Sequence, residues 1–157
     1  MTTITYRNGV MCGDGRETLE CPDESPFVMR DDCVKVWKLK DGSLLGASRA
    51  SEDIERLRRS MVKQKTLPKL EDINAIWVDP KGRIWFTEGR IWQRVKAEYY
   101  SVGSGSIFAI PAMDAGAGAR RACEIGAFRD PFSGGKITEI SLDPNPPAVH
   151  KKRKGKS

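Results

Sequence analysis

The chain has 157 residues, 39% hydrophobic and 31% charged, which suffices for one compact domain with a buried core and argues against a largely disordered chain. Its formal charge is +6, but Lys151, Lys152, Arg153, Lys154 and Lys156 supply five of those units; the body carries only +1, which argues against a nucleic-acid partner. No stretch approaches the roughly 18 apolar residues of a membrane helix, and the N-terminus has neither a basic n-region nor an apolar h-region, so no membrane partner and a cytoplasmic location are expected.

Residues 2–6 and 10–12 read as strands around Arg7-Asn8-Gly9, a turn whose Asn-Gly pair accepts positive φ, so the chain should open with a hairpin. Residues 22–26 read as a loop. Residues 33–39 and 43–46 are strands around the turn Lys40-Asp41-Gly42, and Lys35 falls inside the first of them. Ser51 is an N-cap candidate followed by Glu52 and Asp53, and Ile54, Leu57 and Met61 recur on one face, which predicts a helix over 51–65 before Pro68. Residues 75–78, 83–87 and 91–95 form a β meander leading to Tyr100, with Trp77, Trp85 and Trp92 as sheet-packing aromatics. Val102-Gly103-Ser104-Gly105-Ser106 turns from strand into helix. Asp114-Ala115-Gly116-Ala117-Gly118 then separates two short helices, the first with Pro111 at a kink or in its first turn and the second over 119–128. A closing strand spans 136–142. Strands and helices in segregated blocks define an α+β class. The domain covers 1–143, and 144–157 is a Pro-rich, basic tail expected to be disordered.

Cys12, Cys21, Cys33 and Cys123 show no CxxC spacing, and with His150 as the one histidine the chain lacks a usual zinc donor set. The cysteines read as reduced core or near-core thiols, and no metal or cofactor is expected. Taken singly, Asp14 between glycines is a turn aspartate, Lys35 an exposed strand lysine and Ser104 a helix cap. Together with Thr2 at the second position they form an ordered set that independent local roles do not predict.

That set resembles the proteasome β and HslV family of N-terminal-nucleophile hydrolases. Thr2-Thr3-Ile4, then Asn8-Gly9, then Gly13-Asp14-Gly15-Arg16 is similar to the family's opening; Val34-Lys35-Val36 is similar to its lysine strand. Leu45-Gly46 running through Ala50 into an acid-capped helix is similar to its cleft loop. Gly103-Ser104-Gly105 and Arg129-Asp130-Pro131-Phe132-Ser133-Gly134-Gly135 resemble two later motifs, the last being the most specific because Asp and Ser stand three apart before a double glycine.

The resemblance implies a threonine-type endopeptidase with Thr2 as nucleophile. A free α-amine, with a pKa near 7.7 to 8.0, is a base that a chain end supplies without histidine, and it is exposed by removal of Met1. Lys35 would lower the amine pKa by like-charge repulsion, with Asp14 holding its ammonium in place. Ser104, Asp130 and Ser133 would position the amine, and a backbone N–H near Ala50 would face the oxyanion. Ser48 and Arg49 occupy the region that shapes the substrate pocket, with Glu17, Thr18 and Trp37 beside them; Glu17 would favour a basic substrate side chain unless it is simply solvated. The implied fold is a four-layer αββα sandwich with reduced helical layers, since one of the two usual central helices is missing. The implied partners are a peptide or unfolded protein substrate, further copies of the chain in a ring, and a ring ATPase. The rival reading is a catalytically silent scaffold or regulator of the same fold. A third is a nucleic-acid binder acting through the basic tail, against which the near-neutral body argues.

Overall fold

The computed structural model describes residues 1–20, 22–23, 26–63 and 67–144. The opening hairpin forms as the Asn-Gly signal predicts. Strands β1 (Ile4–Arg7) and β2 (Val10–Gly13) flank Asn8 at φ 50° and Gly9 at φ 79°, the positive pair that a twisted two-residue turn needs. The strand starts two residues later than expected, leaving Thr2 and Thr3 ahead of the ladder. Strand β3 (Glu17–Glu20) pairs with β4 (Pro26–Arg30), an outlying hairpin not foreseen above; Pro26 belongs to its second strand rather than to a loop. Proline is tolerated there because it opens the strand, where no N–H has to be supplied.

Strands β5 (Val36–Lys38), β6 (Leu44–Arg49), β7 (Ile73–Val78), β8 (Ile84–Thr87) and β9 (Gln93–Val95) form an antiparallel five-stranded sheet in sequence order. Lys35 precedes β5 by one residue instead of lying within it, although the Ala47 N–H still donates to its carbonyl at 3.1 Å and continues the pairing. Between β6 and β7 runs α1 (Ser51–Lys63); the expected end at Lys65 lies outside the described residues. Strand β10 (Tyr99–Val102) leads into α2 (Ser106–Asp114) and α3 (Ala119–Arg129), and β11 (Thr138–Ser141) closes the second sheet, ordered β10-β1-β2-β11. Pro111 sits inside α2 rather than in its first turn. The expected tail lies outside the described residues, apart from Pro144.

The two sheets stack face to face over Ile4, Met11, Val36, Leu44, Ile76 and Val102. Alternation fixes this arrangement: even positions of β6 face the inner core, whereas Leu45 and Ala47 face Leu57 and Met61 of α1 on the outer side. Helices α2 and α3 cover the other sheet over Cys12, Ala109, Ala122 and Cys123. The result is four layers, helix pair, sheet, sheet and single helix. On the α1 side of the five-stranded sheet, Trp77 stacks on Trp85 with centroids 6.2 Å apart and meets Trp92 at 6.0 Å. Cys12 and Cys123 are free thiols shut in this packing, and burial pushes Cys12 up to about 12. Among the described residues no helix is long and apolar enough to cross a membrane.

Asp53 anchors α1. Its Oδ2 accepts the N–H groups of Asp72 at 2.7 Å and Glu71 at 2.8 Å, which hold its carboxyl below the usual carboxylate range. A depressed carboxyl stabilises the fold above its unfolded pKa, about 3.9, and that contribution disappears as pH falls through the lower folded value. Melting temperature should therefore drop more steeply below about pH 4 for the wild type than for Asp53→Asn. In the inner core, Ile4 is fully buried, and Ile4→Ala should cost about 2–5 kcal/mol in urea unfolding.

Candidate active site

Two loops and the chain start meet at the edge of both sheets. Asp14, one residue past β2, is fully buried, and its carboxylate takes four donors. Oδ1 accepts the Thr3 N–H at 2.8 Å and the Lys35 ammonium at 3.0 Å; Oδ2 accepts the Gly134 N–H at 2.9 Å and the Arg16 N–H at 3.2 Å. A buried carboxylate needs such compensation, because an unpaired one would be far too costly to keep. The simple roles of an open turn aspartate and an exposed strand lysine do not describe these two residues; Lys35 is itself buried. Its three ammonium hydrogens are all engaged, with Asp14, with the Arg16 carbonyl at 2.5 Å and with the Met1 carbonyl at 3.2 Å.

Thr2 lies beside this pair. Its hydroxyl donates to the Met1 carbonyl at 2.6 Å, so that one oxygen is shared by Thr2 and Lys35. Its backbone nitrogen donates to Ser104 Oγ at 3.1 Å. Ser104 in turn donates to Asp130 Oδ2 at 2.5 Å, which also accepts Ser133 Oγ at 2.6 Å. Ser133 Oγ accepts the Thr3 hydroxyl at 2.8 Å. Asp130, the first residue beyond α3, holds its own loop by accepting the Phe132 N–H at 3.1 Å. Ser104 is not a helix cap: Gly105 occupies that position, and no side-chain cap bond is made. The geometry thus gathers Thr2, Asp14, Lys35, Ser104, Asp130 and Ser133 around one point, although they are spread over 131 positions of sequence.

Residues 103–105 fit the chain start closely. Gly103 has φ 94°, and a Cβ there would stand 2.0 Å from the Thr2 carbonyl oxygen; a Cβ on Gly105 would stand 1.7 Å from Thr3 Oγ1. The Gly105 N–H donates to the Thr2 carbonyl at 3.1 Å. Thr3, Arg16, Gly103 and Gly134 were not singled out as site residues in the sequence, yet each lies within a motif quoted above. Their contributions are made mainly by backbone atoms, which side-chain chemistry does not reveal.

Thr2 opens on a cleft of about 400 Å³, lined among others by Arg16, Glu17, Thr18, Lys35, Trp37, Ser48, Arg49 and Ala50. All five substrate-pocket candidates are on this wall. Two assignments change. The Ala50 N–H donates to the Asp72 carbonyl at 3.2 Å, so it is not turned toward Thr2 as expected. Along β6, even residues pair toward β7, and Ala47 pairs with Lys35 on the other side; alternation turns the Arg49 N–H toward the Lys35 side, where β5 has not yet begun. Arg49 also has φ 87°, an uncommon backbone state for a non-glycine residue and one found at functional sites. Second, Glu17 does not stand free to receive a basic side chain. Its Oε2 accepts Arg30 Nε at 2.8 Å and the Cys33 thiol at 3.4 Å.

No protein-family profile and no curated protein matches the chain by sequence. Solved structures do match it by shape. Eukaryotic HslV from Trypanosoma brucei superposes with a TM-score of 0.68 at 15% identity, over 90% of this chain and 98% of that one. BPH from Thiobacillus denitrificans superposes at 0.59 in its complex with epoxomicin, over 91% and 99% of the two chains, and at 0.55 in another structure, over 92% and 99%, both at 16% identity. The chain has an α+β fold of the proteasome β type, and within that fold type its shape is HslV-like.

Gly103→Ala tests the dependence of the site on this packing. The steric clash with the Thr2 carbonyl and the positive φ should together lower stability by roughly 2 kcal/mol or more, read as a fall in melting temperature.

Proposed function

We propose that the chain is a threonine peptidase that cleaves peptide bonds with Thr2 once Met1 has been removed. The observation that carries this reading is the placement of Thr2: its nitrogen is on Ser104, its hydroxyl is beside the Lys35–Asp14 pair, and a cleft of about 400 Å³ lies in front. Hydrolysis of the Met1–Thr2 bond converts an amide nitrogen without basicity into an amine, still held by Ser104, and releases the carbonyl that now occupies Lys35 and the Thr2 hydroxyl.

In the proposed cycle the amine takes the Thr2 hydroxyl proton, directly or through one water, as Oγ1 attacks the substrate carbonyl. The oxyanion forms against the Arg49 N–H, and the proton passes to the departing amine as the peptide bond breaks. The same amine then deprotonates a water that attacks the Thr2 ester, returning the hydroxyl and releasing the acid. Lys35 favours the neutral amine by like-charge repulsion, and Asp14 holds Lys35 so that the repulsion acts at a fixed distance. The HslV-like shape supports assembly of several copies into a ring, with unfolded protein as substrate and a ring ATPase as partner.

Thr2→Ala should lower hydrolysis of unstructured fluorogenic peptides by about four orders of magnitude or more, with fold and assembly unchanged. Lys35→Ala should lose roughly a hundredfold or more. Epoxomicin, bound in one of the T. denitrificans BPH structures, is expected to inhibit the wild type. Intact mass spectrometry should find active protein beginning at Thr2, and light scattering should give a mass several times 17.5 kDa. Thr2→Ala activity equal to wild type, or full activity in a species that retains Met1, refutes the mechanism. Uniform retention of Met1 with no activity in an assembled protein supports the scaffold reading instead.

A further inference from the structure

The β3–β4 hairpin is a ribbon without a polar face. It pairs with no other strand among the described residues, and Leu19, Phe27, Val28 and Met29 belong to none of the buried clusters. Leu19 pairs with Phe27, which puts both on one face with Met29, at 54%, 59% and 53% exposure; Val28 stands on the other face at 40%. A two-stranded hairpin is marginal in water by itself, and adjoining exposed apolar side chains of this size mark a contact surface. The segment is also acidic: residues 17–32 carry six carboxylates and one cation, Arg30.

The complementary shape lies elsewhere on the same chain. Helix α1 and the start of the β5–β6 hairpin enclose a groove of about 570 Å³, with Trp37, Leu39 and Val62 as its apolar lining. Five cations, Lys38, Lys40, Arg58, Arg59 and Lys63, stand on its wall with one carboxylate, Glu55, which Arg58 and Arg59 share at 3.0 Å each. Lys38 reaches Asp143 at 2.6 Å, and Lys40 and Lys63 have no ion-pair partner among the described residues. An occupant has therefore to be apolar and acidic at once, as the hairpin is. Nucleic acid supplies the charge but nothing for Leu39 and Val62, and the Arg58 guanidinium, 4.7 Å from the centre of the Trp37 ring, already covers a face on which a base would stack. The hairpin does not fill the groove of its own chain, since its apolar residues are exposed there.

Resting on the assembly of copies in the reading above, we infer that the β3–β4 hairpin of one copy seats in the groove beside α1 of the next, with its apolar side chains on Trp37, Leu39 and Val62 and its carboxylates toward the groove's cations. The two surfaces differ, so the contact is head-to-tail and repeats from copy to copy, which closes a ring where the rotation allows. It also bears on the cleft, because Trp37 lines both cavities, and Glu17, Thr18 and Arg30 of the hairpin line the cleft.

The test makes each half of the contact defective in turn. Phe27→Thr with Met29→Thr strips the hairpin while keeping strand-forming residues, and Arg59→Glu with Lys63→Glu reverses the groove; all four side chains are exposed, and circular dichroism checks that the fold is kept. In light scattering at high micromolar concentration the wild type should have a mass several times 17.5 kDa, each variant alone 17.5 kDa, and an equimolar mixture of the two variants twice that, because one intact hairpin then meets one intact groove and the series stops. Variants that assemble like the wild type, or a mixture that stays monomeric, overturn the inference and leave ring assembly standing. A monomeric wild type overturns both, and if that monomer binds labelled single-stranded RNA less tightly once Arg59→Glu and Lys63→Glu are introduced, the groove belongs to nucleic acid instead. A second measurement needs no variant: isotope-labelled and unlabelled wild type are mixed, coupled with a zero-length carbodiimide and digested for mass spectrometry. Asp23 joined to Lys38, Lys40 or Lys63 of a differently labelled copy supports the inference, and coupling of these lysines only within one copy overturns it.

Discussion

The Asp14 carboxylate is the constraint on which the site depends. Four segments converge on it: the chain start through Thr3, the turn after β2 through Arg16, the approach to β5 through Lys35, and the loop after α3 through Gly134. A fully buried anion with two donors on each oxygen has no spare capacity and little freedom. It therefore fixes the relative positions of segments that the two sheets alone would leave adjustable. Removing one donor would leave part of a buried charge unsatisfied, a cost larger than the net value of any single bond in the set.

A second network follows from the first. Because Thr3 is held by its N–H on Asp14, its hydroxyl can meet Ser133, and Ser133 and Ser104 share Asp130 Oδ2. The Thr2 nitrogen is thereby attached to a hydroxyl whose own hydrogen is already committed, so Ser104 presents a lone pair to it. The two networks approach Thr2 from opposite sides, Lys35 near the hydroxyl and Ser104 at the nitrogen. Such positioning resists thermal displacement because each member is held by at least one further partner. Glycine at 103 and 105 is the steric condition for this, since a methyl at either place would overlap the chain start.

The cleft wall is less constrained than its base. Arg49 leaves the ladder of β6 at a positive φ, its side chain is half-exposed, and its ion pair is long. On the outer face, Trp77, Trp85 and Trp92 pack against one another beside α1, and α1 is tied down through Asp53.

Much of this was legible in the residues. Asn8-Gly9 determines the first hairpin because few pairs accept two successive positive φ values, and the period of Ile54, Leu57 and Met61 determines α1 and its buried face. That Thr2, Asp14, Lys35, Ser104, Asp130 and Ser133 belong together was also readable from their order, and the structure joins them through two hydrogen-bond networks. The β3–β4 hairpin was not, because a short pair outside the main sheets has weak periodicity, with one proline between its strands and another opening the second. The engagement of the Ala50 N–H was hidden for a related reason: which way an N–H turns is set by pairing with β7, and only the Ala50–Asp72 bond shows that this donor is taken. The partner of Glu17 was equally hidden, because Arg30 reaches it across a hairpin whose register has a bulge. Sequence by itself determined the local turns, the helix face and the set of polar side chains that meet at the chain start, the first two through short-range sterics and periodicity and the last through side-chain chemistry. Tertiary structure decided burial, backbone donor direction and charge pairing, because each of these depends on which distant segment lies opposite.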